Sequence, residues 1–154
     1  MGRAGGWSAG CGLVLSGWLV VFSCLTSAGC TSSAGSASQA DAKERIWQLF
    51  RVYKAYVERN KKGPPDEQSL REFGARLSPQ ERDEAMIGDD LEGIFTSPRD
   101  GQKYVVRYNL KLEPTGPTKG VIWEAQGEGG YRFVALTMGY VEEYNETMFK
   151  EYTK

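Results

Sequence analysis

Histidine is absent from all 154 residues. Its absence excludes Ser–His–Asp catalysis, histidine-ligated zinc and an imidazole pH switch. Cysteine occurs three times, at Cys11, Cys24 and Cys30, and nowhere later. The chain after Cys30 therefore offers neither a disulfide nor a thiolate nucleophile. Nor is there an excess of charge of one sign: 19 basic residues stand against 20 acidic ones, a formal net charge of −1. That balance argues against a broad electrostatic grip on nucleic acid. The basic residues of "KERIWQLFRVYKAYVERNKK" alternate with acids and read as a solvated helix face. Long apolar runs are scarce as well. The run "CGLVLSGWLVVFSCL", residues 11–25, is broken by Gly and Ser and falls short of the roughly 20 apolar residues of a membrane-spanning helix. "GEGG" and "GPTKG" carry glycines without phosphate-loop spacing and read as turns.

The N-terminus has a pattern of its own. Arg3 is the sole charge before Asp41, and a positive start, an apolar middle and a small-residue exit mark a secretory signal. The exit, "LTSAGC", resembles a bacterial lipobox. The resemblance implies that residues 1–29 are a lipoprotein signal peptide and that Cys30 receives the lipid and becomes the mature N-terminus. Ala28 and Gly29 match the two positions before that cysteine, whereas Ser27 stands where the family usually has Leu. Cys24, in "VFSC", is the competing position, with bulky Phe22 where small residues are usual. A plain cleaved signal and an uncleaved anchor also fit the apolar run. Two or more acyl chains hold a protein stably on a membrane, where one alone is marginal. Thr31, in place of the Asp of inner-membrane retention signals, points to the outer membrane, with the domain facing the periplasm. Residues 30–40 carry no charge or large apolar group after the cysteine and predict a flexible tether, about 17 Å long on average.

From Asp41 to the end the pattern predicts one α+β domain. Asp41, with Glu44 three residues on, reads as a helix cap, and Ile46, Leu49, Phe50, Tyr53 and Val57 form one apolar stripe. Gly63 and Pro64–Pro65 end that helix. "DEQSLREFGARL" predicts a second helix with Leu70, Phe73 and Leu77 inward. Ser78 and Pro79 open a third, ended by Gly88. "QKYVVRYNL", "GVIWEAQ" and "YRFVALT" then read as strands, "YVEEY" as a fourth and "NETMFKEY" as a closing helical turn capped by Asn145. Helices followed by an antiparallel meander imply a long amphipathic helix packed on a sheet of three to four strands.

This region resembles the globular part of type II secretion pseudopilins and their type IV pilin-like relatives. Tyr56, Gly63, Pro65 and Leu70 fit that family's helix-ending turn. Pro98, Gly101, Tyr104 and Tyr108 fit its first strand, and Gly139 and Val141 its closing hairpin. Met138 stands where Asp is usual, and the family's assembly helix is replaced by the lipobox. The resemblance implies a pilin-like fold without helix-driven polymerisation.

Two acidic groups invite a chemical reading. Asp89, Asp90, Glu92 and Asp100 suggest a calcium loop or, more simply, solvated turn acids. Glu124 and Glu128 suggest the carboxylate pair of a small envelope hydrolase. The expectation is no catalytic residue, no metal and no cofactor, with neither nucleic acid nor a small-molecule substrate as ligand. The function expected is a lipid-anchored binding or scaffold module of the cell envelope, with an envelope protein as partner. A carboxylate hydrolase and a passive structural lipoprotein are the competing functions.

Overall fold

The computed structural model describes residues 32–88, 90–112 and 116–154. Residues 1–29, expected to be a signal peptide, and Cys30 lie outside them, as does Asp89. The elements follow the expected order: α1 (Ser32–Asn60), α2 (Glu67–Ala75), α3 (Pro79–Glu84), a 3-10 turn at Gly93–Phe95, β1 (Val105–Val106), β2 (Gly120–Trp123), β3 (Tyr131–Leu136), β4 (Val141–Asn145) and α4 (Glu146–Tyr152). The strands form one antiparallel sheet in the order β1-β2-β3-β4.

Helix α1 starts nine residues earlier than its sequence pattern suggests, so Asp41 lies inside it and is not its cap. Residues 32–40, expected to be a tether, are its first turns. Adding turns to an existing helix costs far less than nucleating one. This end is also tied down: the Tyr104 hydroxyl donates to the Ala42 carbonyl at 3.0 Å, and Gln39 donates to Glu143 at 3.3 Å. At its other end α1 closes through Lys61, in the left-handed region, whose N–H reaches the Val57 carbonyl.

The stripe of Ile46, Leu49, Phe50, Tyr53 and Val57 is buried and packs with Val121, Ile122, Phe133, Ala135 and Val141 of the sheet. Val52 is buried too, because α2 covers a second side of α1. Gly74 of α2 approaches Val52 there, and Tyr56 meets Phe73 edge-on at 5.1 Å. The far face of the sheet has a smaller core of Val134, Leu136 and Tyr144 beneath Phe149 and Tyr152 of α4. Tyr152 stacks on Tyr144 at 4.9 Å. Alternation along β3 thus feeds two apolar layers.

Turn chemistry follows the sequence closely. Ser78 and Glu81 form a reciprocal capping box with Pro79 in the first turn of α3, although that helix stops at Glu84, before Gly88. Asn145 caps α4 through the Met148 N–H. Gly63 is required by close approach: its N–H bonds the Leu110 carbonyl at 2.9 Å, and a methyl group there would lie 2.6 Å from that oxygen. The first strand is shorter than expected. Only Val105 and Val106 pair with β2, and Asn109, at positive φ, turns the chain back toward Pro64.

Candidate functional site

The segment "SPRDG", residues 97–101, is more than a turn. Gly101 sits at φ +67°, and its N–H closes on the Ser97 carbonyl at 2.9 Å. Each polar side chain of the turn then reaches into the β2–β3 hairpin. Asp100 accepts the N–H groups of Gln102, Gln126 and Gly127 at 2.9–3.0 Å. Those backbone donors hold its carboxyl below the ordinary range, against a desolvation effect that is larger than any one of them but acts in the opposite direction. Ser97, buried, donates its hydroxyl to Glu124 at 2.7 Å.

Arg99 is the centre of the arrangement. Its side chain is 3% exposed and lies over the Phe133 ring at 4.7 Å. Three carboxylates surround it: Glu124 at 3.3 Å, Glu128 at 3.4 Å and Glu143 at 2.9 Å. The approaches are off the N–H axes, so neither Nε nor Nη1 makes a well-directed hydrogen bond. Attraction here is charge on charge at close range rather than a fitted fork. Glu124, fully buried, also accepts the Phe133 N–H at 2.8 Å. Burial pushes its carboxyl above the ordinary range; the Phe133 and Ser97 hydrogen bonds and the Arg99 charge pull the other way. One cation serves three acids, and two of those acids, Glu128 and Glu143, reach solvent, with side chains 55% and 30% exposed.

Glu124 and Glu128 do come together, but on one guanidinium rather than across open space. The acidic loop does not converge. Asp90 accepts the Gly93 N–H, Glu92 pairs with Arg71, and Asp100 serves the hairpin. Arg99, Ser97 and Glu143 are absent from the acidic groups singled out in the sequence. One signal did point there: a lone carboxylate in the apolar strand "VIWEA" implies a buried partner.

The cluster lies beside an open edge. Strand β4 is last in the sheet, and among the described residues no segment other than β3 bonds the backbone of residues 141–143. The Phe133 carbonyl bonds the Glu124 N–H of the preceding segment. The facing pair Phe133↔Glu143 is therefore a non-bonded one, and the N–H and C=O of Glu143 point away from the sheet. Tyr140 and Tyr131, both exposed, flank the two ends of this edge.

A separate groove of about 1020 Å³ runs over α1, lined among others by Trp47, Arg51, Lys54, Leu112 and Met138. Its rim charges are satisfied internally. Arg59 pairs with Glu81, Lys54 with Glu58 at 3.7 Å, and Arg51 donates to the Glu84 carbonyl while covering Trp47.

No protein-family model matches the chain, and comparisons with curated proteins and with solved structures returned no significant match.

Proposed function

We propose that this protein is a lipid-anchored binding or scaffold module of the bacterial cell envelope, held by Cys30 on the outer membrane and facing the periplasm. The resemblance to pseudopilin globular domains connects it with secretion or pilus-like machinery. The observation that carries the binding role is the unpaired outer edge of β4. An exposed strand edge is a ready template for another chain. Helix α1 would then set the spacing. It runs 29 residues from Ser32, about 43 Å at 1.5 Å per residue, and begins two positions after the anchoring cysteine.

Two measurements test this reading. Cells fed a fatty-acid analogue should label the chain, and Cys30→Ala should abolish the label; labelling that is lost only in Cys24→Ala moves the anchor, and labelling in neither case removes it. A photo-crosslinker at Tyr140, beside the β4 edge, should yield a discrete envelope adduct that one at Gln68, on α2, does not. Equal yields from both positions would defeat the binding role.

A further inference from the structure

We infer that the outer edge of β4 takes an extended, basic segment of a partner protein as a fifth strand of the sheet. The inference rests on the binding-module reading above and names the chemistry of the partner. Backbone geometry supplies the first argument. The N–H and C=O of Glu143 face outward, and no described segment other than β3 bonds residues 141–143. An added strand gains ladder hydrogen bonds there without displacing any described group.

Charge supplies the second argument, and it selects the occupant. Glu143 lies on the α1 face of the sheet, where it shares Arg99 with Glu124 and Glu128. The carboxylates around that guanidinium outnumber it, and Glu143, the one on the edge strand, reaches solvent. Glu142 lies on the α4 face opposite Val134, exposed and without an ion-pair partner among the described residues. A strand docking on this edge therefore meets an undercompensated carboxylate on each face. Lysine or arginine at neighbouring positions satisfies both, since successive side chains alternate between faces.

The same charges oppose a second copy as occupant. Antiparallel pairing of β4 with its own copy would set Glu142 or Glu143 against its counterpart, according to register, and like charges directly across a ladder destabilise it. Edge glutamates also guard sheets against unwanted pairing. The guard and the receptor differ in one respect: a receptor accepts a basic strand through backbone bonds.

The test uses the full chain in neutral detergent micelles and blocked peptides of about ten residues, the length of a long strand. A peptide of lysine pairs separated by valine pairs, which presents lysine on both faces, should bind by isothermal titration, with the largest amide NMR shifts at residues 141–143. The same peptide N-methylated at alternate residues, on its bonding side, should not bind, nor should one with glutamate in place of each lysine. Glu142→Gln should weaken binding about threefold, as for an exposed ion pair. Absence of binding, or undiminished binding of the N-methylated peptide, overturns the inference, the latter because charge alone would then account for it. So do shifts confined to the groove over α1. An envelope adduct from the Tyr140 crosslinker that persists while the lysine–valine peptide fails to bind would sink this inference and leave the binding-module reading standing.

Discussion

Replacing Arg99 by Met isolates what the buried guanidinium does. Methionine keeps the apolar bulk of the side chain but removes the guanidinium, with its charge, its place over Phe133 and its 3.4 Å hydrogen bond to the Glu128 carbonyl. Glu124 is then left fully buried with two hydrogen-bond donors, the Ser97 hydroxyl and the Phe133 N–H, and no cation. It escapes by taking up a proton, and that escape sets a ceiling on the damage. Keeping protonated a carboxyl of ordinary value 4.5 costs about 3.4 kcal/mol at pH 7 and about 0.7 kcal/mol at pH 5, at 1.36 kcal/mol per pH unit. Glu128 and Glu143 add little, because both reach solvent. The sign follows from proton counts. Glu124, already raised by burial in the parent chain, is raised further once the Arg99 charge is gone, so the variant's native state binds the extra proton. Stability is then retained below about pH 4.5 and lost as pH rises toward the folded value. Urea melts of the chain from Ser32 onward, followed by circular dichroism, should show Arg99→Met destabilised by at most about 3 kcal/mol at pH 7 and by at most about 0.7 kcal/mol at pH 5. The double variant Arg99→Met/Glu124→Gln should recover most of the loss at pH 7. A loss that is the same at both pH values, and that the double variant does not recover, would mean that packing rather than charge gives Arg99 its role.

Three further outcomes follow from the same structure. Leu49→Ala, at a fully buried position between α1 and the sheet, should cost about 2–5 kcal/mol in such melts; an unchanged midpoint would refute the packing of the α1 stripe. Gly63→Ala should cost about 1–3 kcal/mol by forcing the Leu110 carbonyl and the Tyr53 hydroxyl away, and a neutral result would show that this contact is slack. Asp100, whose carboxyl is held below its ordinary 3.8, contributes stability that is present above that value and lost as pH falls through the folded one. Asp100→Asn should therefore flatten the acid limb of the stability profile, and an acid limb identical to that of the parent chain would rule the contribution out.

Local signals in the sequence read well where the physics is local. The capping box at Ser78, the cap at Asn145 and the apolar stripe from Ile46 to Val57 each appear where the sequence places them. All three depend on residues within a few positions of one another. The start of α1 was hidden because residues 32–40 carry no periodic apolar pattern, and their helix is an extension of a long-range anchored one. The short β1 was hidden for a related reason. "QKYVVRYNL" has the composition of a strand throughout, but the Tyr104 N–H is used by the Phe95 carbonyl, and the Arg107 carbonyl takes the Tyr53 hydroxyl. Tyr131, the first residue of the strand-like run "YRFVALT", lies exposed at the first position of β3.

The Arg99 cluster was the least legible feature, because its members are held together only by the topology. "SPRDG" has the composition of an exposed turn, and nothing near it in sequence announces that its arginine is buried. The partners come from the end of β2, from the hairpin and from β4. A meander brings these three regions to one side of the sheet, and the turn before β1 folds across to meet them through Asp100 and Ser97. The acids that a reading of the sequence offers as a hydrolytic pair thus become ligands of one guanidinium. The acid that completes the set, Glu143, stands on β4, whose outer side no described segment pairs. Burying Arg99 costs desolvation, which neighbouring carboxylates offset. Of these, Glu124 alone is fully enclosed; Glu128, in the β2–β3 hairpin, and Glu143, on the edge strand, keep part of their charge in reach of solvent. A core made only of apolar residues would stabilise the sheet as well, but it would leave that edge without a charge signature by which a partner strand could be chosen.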